Sequence, residues 1–269
     1  MRILSLEDNV HMIYEEAAQK AVRYTPILFA PSEKHPGSID PIGSAVLFKR
    51  DGHFLLLTAG HCIKNKGRLT NIGVLHKRDF HQIEGEMMVV PGEHNQIDIG
   101  LVRLLPKTRD ICLQNFAFLD DSHRLHNNGI PDHQAYLIVG HPATKISNDH
   151  KKKKIKTEAF AHISQSTLEF NFEKYHFTQH QHLMLQFDRR RSTITGSGMM
   201  SISPYPQGVS GGGVWFVPDY FVQDLKSVTP QIAGIVIEYF ESRRVIVATK
   251  FDVVDYLLQS ILTGKTPFN

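Results

Sequence analysis

Cysteine is nearly absent from this chain. Its 269 residues include two, Cys62 and Cys112, too few for the disulfide framework that staples small secreted domains. Long apolar runs are missing too: no stretch approaches the ~20 residues that a transmembrane helix needs. Residues 1–10 have no apolar core and carry Glu7 and Asp8, which does not fit a secretory leader. Together these absences predict a reducing, cytoplasmic setting and no membrane partner. Neither sign of charge dominates. There are 30 Lys and Arg against 27 Asp and Glu, a net charge of +3, so composition asks for no nucleic-acid partner. The basic runs, Lys151–Lys154 with Lys156 and Arg189–Arg191, read as solvated loops. No phosphate-binding, dinucleotide or zinc-finger pattern occurs. His176, His180 and His182 lie close together, but no cysteine or clear carboxylate completes a tetrahedral set. No metal and no cofactor are expected.

What is present is a long series of short strands between two helices. At 269 residues the chain can form one large or two small domains with a sizeable core. Residues 6–23 predict an amphipathic helix, because Val10, Ile13, Ala17 and Ala21 recur at helical spacing beside Tyr14 and Ala18. Ser5 is the expected N-cap, and Thr25-Pro26 ends the helix. It reads as packing on the outside of a barrel, with a regulatory or partner-docking role as the alternative. From Gly43 the pattern becomes that of strands. Ser44–Phe48 and Phe54–Thr58 flank a hairpin turn at 49–53. Further strands are expected at Ile83–Val90, Ile97–Leu104, Gln134–Val139, Lys154–Ile163, Leu183–Phe187, Gly213–Val217, Ile232–Ile237 and Val245–Thr249. Many short strands with Gly, Pro and Asn turns argue for barrels or sandwiches. Phe251–Leu262 predicts a closing helix with Val253, Val254, Leu257, Leu258 and Ile261 on one face.

Three motifs carry the chemistry. They are Leu57-Thr58-Ala59-Gly60-His61-Cys62, Asp98-Ile99-Gly100-Leu101-Val102-Arg103-Leu104 and Gly208-Val209-Ser210-Gly211-Gly212. A serine hydroxyl is a weak nucleophile and needs a base beside it. A histidine can accept that proton, and a carboxylate can hold the ring in the right tautomer. His61 ends an apolar strand. Asp98 lies between Ile97 and Ile99, where a lone carboxylate is costly unless hydrogen-bonded; the rivals Asp110 and Asp120 read as loop and turn residues. Glycines around Ser210 let backbone N–H groups approach a developing oxyanion. The last of the 16 histidines is His182. An α/β-hydrolase elbow needs a histidine after its serine, so that reading of Gly208-Val209-Ser210-Gly211-Gly212 fails. The subtilisin order fails too, because Asp98 follows His61. The order His61, Asp98, Ser210 is that of chymotrypsin.

The wording of the motifs resembles that of the trypsin-like, chymotrypsin-fold serine proteases, in the style of bacterial trypsin-like peptidases. Thr58-Ala59-Gly60-His61-Cys62 is similar to their T-A-A-H-C, Asp98-Ile99-Gly100-Leu101 to D-I-A-L, and Gly208-Val209-Ser210-Gly211-Gly212 to G-D-S-G-G. The likeness spans residues 38–263 or so and leaves out the first helix. It implies an all-β fold of two six-stranded antiparallel β-barrels with an N-terminal and a C-terminal helix. Residues 1–36 would be a helical extension, 37–122 a first barrel carrying His61 and Asp98, and 123–269 a second barrel carrying Ser210 and the closing helix.

The resemblance also implies roles. Ser210 would be the nucleophile, His61 the base, Asp98 its orienting partner, and the N–H groups of Gly208 and Ser210 the oxyanion hole. Val209 replaces the aspartate that, in zymogen-activated members, pairs with a newly cut N-terminal ammonium, so no such activation is expected. Pro204, six residues before the serine, stands at the pocket floor, and with Tyr205 and Pro206 it gives no support for a basic-residue preference. Pro204, Tyr205, Gln207, Ile237 and Glu238 are expected to meet substrate. Gly234–Glu238 resembles the strand that pairs with substrate backbone, with Glu238 or Glu241 placed to attract a basic side chain. Val139-Gly140-His141-Pro142 is similar to a G-x-P turn of the bacterial enzymes. The cysteine after the histidine is typically paired with one on the preceding strand, but residues 43–48 contain none. Cys62 is therefore expected to be a free, buried thiol, while a Cys62–Cys112 bridge stays compatible with the sequence. The implied partners are a protein or peptide substrate and a regulatory protein that gates an otherwise harmful cytosolic protease. The alternative is a non-catalytic or latent module that keeps the fold for binding.

Overall fold

A computed structural model describes residues 6–65, 68–69, 71–76, 79–90, 97–125, 135–149, 154–167, 170–188, 192–194, 200–218 and 224–263. Ser5, Lys151 to Lys153, Arg189 to Arg191 and Gln134 lie outside them. Helix α1 (Leu6–Val22) leads to β1 (Ile27–Pro31), β2 (Ile39–Ser44), β3 (Val46–Arg50) and β4 (His53–Ala59). The one-turn helix α2 (Gly60–Ile63) follows, then the short pair β5 (Lys64–Asn65) and β6 (Arg68–Leu69). Next come β7 (Gly73–His76), β8 (Asp79–Gln82), β9 (Gly85–Val90), β10 (Ile99–Leu104) and helix α3 (Pro106–Asn115). The second half holds β11 (Ala135–Gly140), β12 (Ile146–Asp149), β13 (Lys154–Thr157), β14 (Phe160–Gln165) and β15 (His182–Gln186). It continues with β16 (Ser192–Ile194), β17 (Met200–Ile202), β18 (Gly213–Phe216), β19 (Gln231–Phe240), β20 (Val245–Lys250) and helix α4 (Phe251–Leu262).

The protein is mostly β, with sheets curved into half-barrels. The strands of the first half form two four-stranded sheets, ordered β2-β1-β7-β8 and β3-β4-β10-β9. The chain passes from one sheet to the other at Ala45 between β2 and β3, and at Ile83 and Glu84 between β8 and β9. Strands that switch sheets at a bend are how orthogonally packed sheets make their corners. The second half forms one eight-stranded sheet, β15-β20-β19-β18-β11-β14-β16-β17. These counts depart from two barrels of six strands. The expected single strand Lys154–Ile163 is also two: β13 pairs with β12, whereas β14 pairs with β11.

The strand β4 reads Phe54-Leu55-Leu56-Leu57 because it is covered on both faces, and Leu55, Leu56 and Leu57 are fully buried. It pairs with β3 through a two-residue turn at Asp51 and Gly52, a geometry whose twist suits a hairpin. Helix α4 buries Val254, Leu257 and Leu258, each contributing roughly 1.5–3 kcal/mol by leaving water. Helix α1 buries Ile13, Tyr14, Ala17 and Ala21, the stripe expected from its spacing. Its Lys20 Nζ donates to the carbonyls of Lys226 and Val228 at 2.7 and 2.8 Å, fastening it to the second half of the chain.

An ion network closes the back of the molecule. Arg50, 5% exposed, pairs with Asp121 and Asp255, and Arg124 Nη2 meets Asp255 Oδ2 at 2.6 Å. Strand β3, residues 121–124 and helix α4 are thus held together around the buried Arg50 and Asp255. Both cysteines are free and buried, and burial pushes the Cys112 thiol up to about 12. Among the described residues, no helix is long and apolar enough to cross a membrane.

Candidate active site

The apolar strand β4 ends in α2, which carries His61 at the surface. The neighbouring strand β10 begins just after Asp98, and Ile99 pairs with Ala59. Register alone therefore brings the aspartate beside the histidine. Asp98 takes φ 43, a left-handed conformation uncommon for a residue with a Cβ. In that conformation the Asp98 carbonyl accepts the Gly60 N–H at 2.8 Å, its Oδ1 accepts the His61 N–H at 3.0 Å, and its Oδ2 lies 2.6 Å from His61 Nδ1. Three bonds to two successive residues leave the imidazole one orientation, with Nε2 turned away from the carboxylate. The Asp98 hydrogen bond raises the His61 imidazole well above its ordinary value near 6.5, because a carboxylate acceptor favours the charged ring. From the other half of the molecule, Thr249 Oγ1 donates to the Ile97 carbonyl at 2.5 Å, holding the residue before Asp98.

Ser210 sits on the turn between Pro206 and Gly213, and that turn is bound on every side. The Ser44 N–H donates to the Ser210 carbonyl at 2.8 Å, and the Gly211 N–H donates to the Val236 carbonyl at 2.7 Å. Gly211 has φ 85, and a Cβ there would lie 2.0 Å from the Ser44 carbonyl oxygen. The Cys62 thiol stands 3.9 Å from the Ser210 carbonyl oxygen, so Ser210 adjoins the residue that follows His61. The Ser210 hydroxyl itself makes no hydrogen bond among the described residues.

Upstream, the Ala143 N–H donates to the Gln207 carbonyl at 2.7 Å, and the Val209 N–H donates to the Pro206 carbonyl at 2.9 Å. In a trans peptide the C=O and the next N–H point in opposite directions. With the Gln207 carbonyl held by Ala143, the Gly208 N–H points away from Ala143, in the opposite direction within the same peptide plane. Neither the Gly208 nor the Ser210 N–H donates to any described residue. Gly208 takes φ 94, and a Cβ there would lie 2.8 Å from Ala143 N, so glycine alone accommodates this arrangement. Val209 is 1% exposed and packs with Ile138, Val214 and Val236, leaving no charge at this position to attract an ammonium.

The remaining candidates scatter around this turn. Pro204 is half-buried and Gln207 is exposed. Tyr205 donates its hydroxyl to Glu241, and its ring meets Tyr239 edge-on with centroids 5.8 Å apart. Ile237, expected to line the cleft, is 3% exposed and belongs to the core. The register between β19 and β20 slips between Val236 and Glu238, and Ile237 shares the core cluster with Ile235, two residues before it. Glu238 is exposed, and its carboxyl is raised, first by partial desolvation and then by the Asp98 charge, while His61 pulls the other way. Of the histidine cluster, His182 is buried with Nδ1 3.0 Å from the Thr178 carbonyl.

Three residues have a supporting role that the sequence did not reveal: Ser44, His141 and Ala143. Ser44 Oγ donates to the Gly208 carbonyl at 3.0 Å and accepts the His141 N–H at 2.9 Å. His141 is buried, and its Nε2 bonds the Thr25 carbonyl at 2.8 Å. Burial lowers its imidazole to about 4. The turn at Gly140 to Pro142 was visible in the sequence, but nothing local announced that it braces Gly208.

No family model matches the sequence, and no curated protein matches it. Solved structures do share the fold. A thermostable serine protease, AL20, from an extremophilic microorganism is 13% identical, over 87% of this chain and 93% of that chain, with a TM-score of 0.50. The HtrA-type protease AlgW, solved with a tripeptide, is 15% identical, over 94% of this chain and 65% of that chain, with a TM-score of 0.50. At such identities the likeness is one of fold: that of the trypsin-like and HtrA-type serine proteases.

Proposed function

We propose that this chain is a serine endopeptidase acting through Ser210, His61 and Asp98. The observation that carries the reading is the pair of undonated N–H groups, on Gly208 and Ser210, beside a histidine fixed by a carboxylate. In this reading the neutral His61 takes the Ser210 proton at Nε2 as Oγ attacks a peptide carbonyl. The new oxyanion accepts the Gly208 and Ser210 N–H groups, worth roughly 3–4 kcal/mol per donor in a hole of this kind. His61 then gives its proton to the leaving amine as the C–N bond breaks. Water, deprotonated by the same ring, hydrolyses the acyl ester and restores Ser210.

The substrate class is polypeptide, in keeping with the tripeptide present with AlgW. No N-terminal cleavage is required, because buried Val209 offers no partner for a new ammonium. The free thiols Cys62 and Cys112 support a cytoplasmic setting, where a protease of this kind needs narrow specificity or a regulatory partner. One observation favours a second reading, a latent or non-catalytic binding module: the Ser210 hydroxyl is not hydrogen-bonded to His61. Catalytic hydrogen bonds often close only on substrate binding, so labelling decides. A fluorophosphonate is expected to modify intact protein at Ser210 and not to modify Ser210→Ala. Absence of Ser210-dependent labelling, with cellular partners present, would leave the binding module as the answer.

A further inference from the structure

A cavity opens at the end of strand β11 far from the Ser210 turn. Strand β11 runs from Ala135, which lines this cavity, to Gly140, which packs against Val209. Five strand residues separate the two by about 16 Å. The cavity marks a seam. Strands β14 and β15 lie at different places in the eight-stranded order and meet through one isolated bridge, Ser166 to Leu185, and the Ser164 hydroxyl bond to the Gln186 carbonyl. Where they part, they leave a space of about 650 Å³, within the range of small-molecule sites.

The lining is sorted by chemistry. Ser164 lies buried at the wall, and the half-buried Tyr175 ring, backed by the buried Phe170 ring with centroids 4.9 Å apart, forms an aromatic shelf. Three cations, Lys174, Arg243 and Arg244, come from two separate turns. Asp188 is the one carboxylate among the described lining residues, and it stands 3.9 Å from Arg244 Nη1, at the limit of an ion pair. Glu241, on the same turn as Arg243, is engaged by Tyr205 instead. Arg243 Nε donates to the neutral Tyr175 hydroxyl at 3.2 Å, and Lys174 Nζ lies 5.8 Å from the centre of the same ring. The two cations thus converge on the shelf, and they hold the Tyr175 phenol below its ordinary value, the Arg243 hydrogen bond first.

Three cations against one carboxylate leave a formal surplus of two positive charges. That surplus matches a phosphate monoester, which carries about −1.5 to −2 near neutrality. Arginine forks suit phosphate oxygens, and an aromatic face suits a flat ring. We propose that this seam binds a small phosphorylated molecule with a flat ring, the chemistry of a nucleoside monophosphate, with phosphate on Arg243 and Lys174 and the ring on the Phe170–Tyr175 shelf. The site is separate from Ser210, and the proposal does not depend on the proteolytic reading.

Calorimetric titration of the full chain with AMP and GMP tests it. Saturable 1:1 binding of at least one is expected, weakening as salt rises. Removing both cations in Lys174→Ala/Arg243→Ala is expected to weaken it about tenfold or more, the loss of a charge-assisted contact. Both side chains are exposed, so the double variant is expected to melt like the parent. The milder Arg243→Gln serves if it does not, and is expected to weaken binding in the same direction. Adenosine and inorganic phosphate should each bind about tenfold less tightly than AMP, and Ser210→Ala should bind AMP as the parent does. No saturable heat with either nucleotide, or equal affinity in the variants, would overturn the site. Equal binding of phosphate and AMP would overturn the assignment of the ring to the shelf.

Discussion

Ser44 Oγ donates to the Gly208 carbonyl at 3.0 Å, 164 residues away in sequence. The same oxygen accepts the His141 N–H, so one hydroxyl ties the end of strand β2 to both turns beside Ser210. If the Gly208 N–H is an oxyanion donor, Ser44 acts one peptide further on: it holds the Gly208 carbonyl of the Gly208–Val209 peptide, while Ala143 holds the Gln207 carbonyl of the peptide that carries the N–H. Ser44→Ala is expected to lower the Ser210 labelling rate about tenfold, a fraction of the cost of losing a donor outright. In peptide hydrolysis the loss should fall on kcat and leave KM nearly unchanged. An equal loss in KM would mean that Ser44 shapes the substrate cleft instead.

The His61 and Asp98 pair predicts an alkaline activity profile. The raised imidazole keeps its proton at neutral pH, and the base form grows only as pH rises through that raised value. Labelling should therefore climb as pH increases beyond 6.5, the ordinary histidine value. Asp98→Asn removes the carboxylate acceptor. It is expected to bring the midpoint back toward the ordinary value and to reduce the rate roughly 10³–10⁴-fold. A profile that levels off below the ordinary value would contradict the pairing.

His141 predicts the acid side of the stability curve. Its imidazole is neutral in the fold down to about 4 but titrates near 6.5 when unfolded. The unfolded chain thus binds the extra proton between these values, and stability falls as pH drops through that window. The slope is about 1.4 kcal/mol per pH unit for one such group. Urea melts of the parent and His141→Gln across the window should show the variant with a shallower decline. Parallel curves would count against it.

The ion network at the back predicts a large loss from a single truncation. Asp255 faces Arg50 and Arg124 in a buried setting. Asp255→Ala leaves two guanidinium groups short of a partner, and urea unfolding is expected to show a loss of about 3–5 kcal/mol. A loss under about 1 kcal/mol, the level of an exposed pair, would mean that water replaces the carboxylate.

The parts of this architecture set by local periodicity were legible in the sequence. Val254, Leu257 and Leu258 announced α4, and the run Phe54 to Thr58 announced the hairpin strand that became β4. The order of His61, Asp98 and Ser210 pointed to the serine-protease fold that the solved structures share. Partner choice was not legible. The segment from Lys154 to Ile163 alternates like one strand, yet its two halves pair with different neighbours, and alternation carries no record of a neighbour. Ile237 was placed at the cleft by the likeness of Gly234–Glu238 to a substrate-pairing strand, and a likeness of wording does not tell which face of the strand a side chain takes; Ile237 lies with Ile235 in the core. Ser44 and His141 act through bonds spanning 164 and 97 residues, and no local pattern encodes such a bond.

The Thr25 carbonyl, just beyond helix α1, holds His141; His141 holds Ser44, and Ser44 holds Gly208. These links are in series, like the joints of a single linkage rod. They join the segment just beyond the first helix to the Gly208–Val209 peptide, next to the nucleophile candidate, through three hydrogen bonds. Thr25 is thus tied to the turn that carries Ser210, and trimming residues 6–25 would disconnect one end of the rod.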